Sequence, residues 1–196
     1  MNDSIEFFET QFGNQVSTGD LMLNPFEAAA LPHLRGRVLD FGCGLGNLSI
    51  AAARQGCTVL AIDAAPTAIR HLSSRAAHEK LPITALNADL RNFEVTEYFD
   101  VIATIGLLMF FGPEIARAQL RHLQDRVHPG GVAIVNVLIE GTTFLDMFDP
   151  VDHYLFRRNE LREAFAGWEV ISESFEEFPA PGGSIKRFVT VIARKP

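Results

Sequence analysis

Cysteine, clustered positive charge and long apolar runs are all scarce in this chain, and each scarcity removes a class of protein. Only Cys43 and Cys57 occur among 196 residues, too few for a disulfide framework or a paired-cysteine metal site. Both read as free thiols in a reducing, cytoplasmic setting, and no metal is expected. The 17 basic residues are outnumbered by 24 acidic ones, for a net charge of −7. No Lys/Arg cluster could track a phosphate backbone, which argues against a nucleic-acid partner. The longest uncharged apolar stretch, Val101 to Phe111, falls short of the roughly 20 residues a bilayer requires. The opening Met1-Asn2-Asp3-Ser4-Ile5-Glu6 lacks the basic and apolar regions of a signal peptide, and no membrane association is expected.

What is present is enough apolar residue, 47%, to build the core of one domain. Two helices are expected first, over 4–12 and 25–34, the second opened by Asn24 as cap and Pro25 in the first turn. Strands follow at 37–41, 58–62, 83–87, 99–105 and 131–138. Helices at 47–55, 66–79 and 113–127 separate most of them. The strands are continuously apolar instead of alternating, the mark of a parallel sheet covered on both faces. Asn159 is placed to cap a short helix, and two extended segments, 168–178 and 185–194, are joined by a Pro/Gly stretch as an antiparallel hairpin.

The chemistry concentrates where the first strand ends, in Asp40-Phe41-Gly42-Cys43-Gly44-Leu45-Gly46-Asn47. Glycines in a strand-to-helix turn let a ligand approach the backbone. The spacing is Gly-x-Gly-x-Gly, whereas the dinucleotide pattern would need glycine at Asn47, so an NAD-dependent oxidoreductase is disfavoured. Asp40 before the glycines would repel a pyrophosphate and attract a cation. S-adenosylmethionine (SAM) carries an ammonium and a sulfonium and no phosphate. Asp63, at the end of the second strand, stands where an acid accepts from ribose hydroxyls. Asp89 after the third strand is placed to accept from an adenine amino group. Each acid also has a structural reading: Asp40 and Asp63 as helix-capping acids, Asp89 as a turn former.

These residues resemble the class I SAM-dependent methyltransferases, with Asp40-x-Gly42-x-Gly44-x-Gly46 as first motif, Asp63 as ribose acid and Asp89 as adenine-side acid. The resemblance implies an α/β, Rossmann-like sandwich with sheet order 3-2-1-4-5-7-6 and strand 7 antiparallel. It divides the single domain into a helical cap (1–36), a SAM-binding core (37–138) and a lid segment, helix and hairpin (139–196). The implied cofactor shell is Asp40, Phe41, Gly42, Cys43, Gly44, Gly46, Asp63, Ala64, Ala88, Asp89, Leu90 and Ile105, with S-adenosylhomocysteine (SAH) as product. A narrower likeness, to the TehB-like tellurite-resistance methyltransferases, rests on several segments. These are Phe7-Phe8-Glu9-Thr10-Gln11-Phe12, Leu108-Met109-Phe110-Phe111, Glu160-Leu161-Arg162, Gly167-Trp168-Glu169 and Arg187-Phe188. Where that family carries a His-Arg pair and a further Arg for the oxyanion, this chain reads Glu177-Phe178-Pro179-Ala180-Pro181-Gly182-Gly183. Those anion-binding residues do not carry over.

The expected activity is methyl transfer to a small-molecule acceptor by a monomer or homodimer. Tellurite or selenite methylation and SAM binding without catalysis are the alternatives. His153 is the candidate base, Arg157 or Arg158 an anion clamp, and Tyr154 lies beside them; the competing reading is a solvated lid with ordinary surface charges. Phe7, Phe8 and Phe12 are read as a gate or as helix packing, and Leu107 to Phe111 as an apolar wall or as core.

Overall fold

A computed structural model describes residues 3–19 and 21–196, so the first two residues of the N-terminal cap, and Asp20, lie outside it. Seven strands form one sheet in the order β3-β2-β1-β4-β5-β7-β6. They are β1 (Arg37–Phe41), β2 (Thr58–Asp63), β3 (Ile83–Asn87), β4 (Phe99–Ile105), β5 (Val127–Leu138), β6 (Glu169–Pro179) and β7 (Ile185–Arg194). The first five run parallel, and β7 is antiparallel to both β5 and β6. Burial explains the apolar runs. β1 and β4, central in the sheet, are almost wholly enclosed, whereas β3 and β6 at the edges alternate with exposed positions. Cores form on both faces of the sheet, as helix-covered parallel strands require.

The helices are α1 (Asp3–Thr18), α2 (Pro25–Ala30), α3 (Asn47–Arg54), α4 (Pro66–Glu79), α5 (Pro113–Asp125) and α6 (Glu160–Ala164). Five of the six differ from the sequence reading, α3 only in ending at Arg54. α1 runs through Gly13 to Thr18, where the Ser17 and Thr18 hydroxyls donate back to the Asn14 carbonyl. α2 stops at Ala30 and continues as a 3-10 turn over Leu31–His33, because Pro32 has no N–H to extend the α-helical ladder. α5 ends at Asp125, and β5 starts at Val127 instead of 131. The Pro129-Gly130-Gly131 stretch sits inside β5, beside a register shift at Phe99/Val101. Asn159 does not cap α6: its backbone is already helical and its side chain makes no cap bond, while the Glu160 carboxylate takes the Arg157 N–H.

The segment after β5 is packed in part against the body of the protein. Ile139 bridges to Phe156, and the Tyr154 N–H donates to the Met109 carbonyl. Phe144, Met147, Phe148 and Phe156 are buried. Among the described residues no helix is long and apolar enough to cross a membrane.

Candidate functional site

The carboxyl ends of β1, β2 and β4 open into a cavity of about 300 Å³, roofed by one face of α1. Its position follows from topology, since β1 connects outward to β2 while β4 lies on its other side, leaving a crevice at that switch point. After β1 the chain turns through Gly42, Gly44 and Gly46, with φ of +85°, +50° and +73°. A side chain at Gly44 would meet the Phe12 ring at 3.3 Å. Gly46 faces away from the cavity, against Leu72.

Asp63 holds this loop in place. One carboxylate oxygen accepts the Gly44 N–H and the other the Ala65 N–H, both at 2.8 Å. Burial nevertheless pushes its pKa above the ordinary carboxylate value, because two backbone donors do not replace the lost water. Asp40 is only 4% exposed. It accepts from the Ser49 hydroxyl at 2.6 Å, at the third residue of α3, and it lines the cavity. Burial raises its pKa to about 7, with the charges of Glu27 and Asp63 adding to the effect. Asp89 is more exposed and accepts the Arg91 N–H, the turn-forming role, and it too lines the cavity. The Cys43 thiol is driven upward by burial and stays protonated.

Of the expected cofactor shell, Asp40, Gly42, Cys43, Gly44, Asp63, Ala64, Asp89, Leu90 and Ile105 line the cavity. Phe41 is fully enclosed in the core, and Ala88 packs against the same cluster. Phe8, Phe12, Leu107, Phe110 and Phe111 form an apolar wall, with Phe8 edge-on to Phe110 at 5.0 Å and stacked on Phe12 at 5.6 Å. Phe7 is instead 36% exposed.

His153, Tyr154 and Arg157 do not line this cavity. His153 stacks on Phe148 at 4.8 Å, and Phe148 packs on Phe110, one layer behind the wall. The Tyr154 hydroxyl donates to Glu160 and accepts from Arg117; burial and then Glu160 raise its pKa, against a role as base. Arg157 pairs with Glu160 and Glu163, and Arg158 lies 4.1 Å over the Phe175 ring. Sequence reasoning missed Glu27, Asn24, Gln11 and Arg91 as lining residues. The first two carried a readable helix-start signal, Asn-x-x-Glu, but the direction in which α2 presents them is set by tertiary packing.

The donor set suits SAM. Glycine backbone free of Cβ, carboxylates with acceptor capacity left and an apolar wall match its ribose, its cationic groups and its methyl. A pyrophosphate would meet the negative charges of Asp40, Asp63 and Glu27.

Comparison with known proteins agrees with this geometry. Residues 38–131 match a family described as "Methyltransferase domain". The chain is 28% identical over 172 residues to Hemagglutinin 1 of Eikenella corrodens, covering 82% of this chain and 55% of that protein. It is 28% identical over 166 residues to the probable S-adenosyl-L-methionine-dependent methyltransferase TehB of Haemophilus influenzae, covering 81% of this chain and 57% of TehB. The chain thus spans little more than half the length of these curated relatives. The crystal structure of H. influenzae TehB superposes with a TM-score of 0.76 at 22% identity, over 89% of this chain and 63% of that one. The N-methyltransferase NodS of Bradyrhizobium japonicum, solved with SAH, superposes along the whole of both chains with a TM-score of 0.75 at 17% identity.

Proposed function

We propose that this TehB-like chain, with its class I methyltransferase fold, moves the methyl group of SAM to a small-molecule acceptor. The observation that carries the reading is the Asp63 carboxylate, which grips the glycine turn through the Gly44 N–H while facing the cavity. Bound SAM would supply an electrophilic methyl on a sulfonium, with the carbon–sulfur electron pair leaving on sulfur as an acceptor lone pair bonds to the methyl. The chain must hold the donor, align the acceptor and exclude water. Asp63 and the glycine turn hold. Phe8, Phe12, Phe110 and Phe111 exclude water and leave an apolar seat for the acceptor.

Among the described residues the only basic side chain lining the cavity, Arg91, is already engaged by Asp152 and Asp89. In the 177–183 segment, Glu177 is paired with Arg187. An oxyanion would lose its hydration with no unengaged cation from this lining to offset it. A weakly charged or neutral acceptor with its own lone pair fits better. In this reading Tyr154 and Arg157 are structural, and His153 buttresses Phe148.

Titration with SAM and with NADH, followed by an acceptor screen of thiols, amines, small metabolites and tellurite with detection of SAH, tests the proposal. SAM binds and NADH does not, and SAH accumulates with a neutral acceptor. Saturable tellurite turnover overturns the acceptor chemistry, and SAM binding without turnover of any acceptor leaves the chain a SAM-binding protein.

A further inference from the structure

Among the described residues four acidic residues line the cavity, and three of them have evident work. Asp63 secures the glycine turn, Asp89 shapes its own loop and engages Arg91, and Asp40 takes the Ser49 hydroxyl. Glu27 is the fourth. One of its oxygens accepts the Asn24 N–H at 2.8 Å while its own N–H donates to the Asn24 side chain at 2.9 Å, a capping box that starts α2. That job requires an acceptor and no charge, since glutamine serves a capping box as well. α2 has only six residues, so its dipole offers little reason for a charge either. Among the described residues no Lys, Arg or His pairs with Glu27.

The charge is also costly where it stands. Glu27 shares the cavity with Asp40, and each disfavours ionisation of the other. The cavity lining supplies no cation to relieve this, because Arg91 is already held by two aspartates. A cationic ligand would relieve it. Of the two cationic groups on SAM, the sulfonium has no hydrogen to donate, and the ammonium has three.

We infer that Glu27 contacts the ammonium group of the cofactor's amino-acid end directly, as a charge-assisted partner added to Asp40. The inference rests on the SAM reading above and assigns a specificity role within it. Burial raises the pKa of both carboxyls, in keeping with a site completed by a bound cation.

The test compares SAH with 5′-methylthioadenosine, which keeps the adenine, ribose and thioether but lacks the amino-acid end, by calorimetric titration of the whole chain. Glu27→Gln preserves an acceptor for the Asn24 N–H. It is expected to weaken SAH about tenfold or more, the effect of losing a charged hydrogen bond, and methylthioadenosine less than about twofold. Phe26→Leu loosens the packing of α2 on Phe178 and Phe188, outside the cavity lining, and keeps the carboxylate; it is expected to lower Tm and leave the ratio of the two affinities as in the unmodified chain. Equal weakening of both ligands in Glu27→Gln, or of neither, overturns the inference. If the unmodified chain binds neither ligand, the SAM reading itself has failed and Glu27 loses its role with it.

Discussion

The floor of the cavity is main chain and carboxylate at the tips of β1 and β2; its roof is phenylalanine, from α1 and from the turn after β4. On the floor, position is set by backbone. Three glycines with positive φ, and Asp63 bonded to two N–H groups, leave little room to adjust. On the roof, Phe8, Phe12 and Phe110 meet through ring contacts of 5.0–5.6 Å, and apolar packing tolerates substitution in graded steps. A cofactor shared by many reactions calls for a fixed floor. In the proposed reading the acceptor meets the roof, which can be repacked.

The sharpest way to break this contrast is Gly44→Val on the floor. The backbone there has φ of +50°, and the new Cβ would press on the Phe12 ring at 3.3 Å, a conformation that β-branched residues resist. SAM binding should disappear in calorimetry while circular dichroism shows the fold retained. Near-normal affinity would mean that the turn does not hold the cofactor.

A smaller effect, on stability, is expected from Asp40→Asn. Asp40 has a folded-state pKa raised to about 7 by burial, so the native state binds a proton that the unfolded chain releases near pH 4. Stability therefore falls as pH rises between those values and stays low above them. Asparagine removes that loss. The variant should match the parent near pH 4 and exceed it by up to a few kcal/mol at pH 8, since each pH unit between the two values is worth about 1.4 kcal/mol. Parallel chemical denaturations at the two pH values measure the difference. An advantage independent of pH would show that Asp40 is not the group responsible. The smallest effect is reserved for Tyr154→Phe, outside both floor and roof. Turnover should change less than about twofold, whereas loss of a general base costs on the order of a hundredfold or more.

The floor is legible in the sequence because its chemistry is local. Gly42, Gly44 and Gly46 follow directly on Asp40, and Asp63 ends the very next strand, so spacing along the chain is also spacing in the site. The parallel sheet is legible because central strands bury both faces. The roof is less so. Phe8 and Phe12 read equally well as packing or as a gate, since only the docking of α1 decides it. Glu27 escapes a reading of the sequence because its carboxylate reaches the cavity through the packing of α2. His153 and Tyr154 look like a site because they are neighbours in sequence next to charged residues. Their partners, Phe148 for one and Arg117 with Glu160 for the other, draw them away from the cavity.

A polar contact joins the roof to the floor, beside the packing of Phe12 on Leu45 and Ala65. α4 begins after Ala65, which has no side-chain oxygen to cap it, and the acceptor comes instead from Glu9 on α1, 58 residues away in sequence. Its carboxylate takes the Thr67 N–H at 2.9 Å and the Thr67 hydroxyl at 2.6 Å. The first turn of α4 directly follows the Asp63 loop, so the seating of α1 and the order of that loop are energetically coupled. Protection of the Thr67 amide from hydrogen exchange therefore reports the seating of α1 on α4.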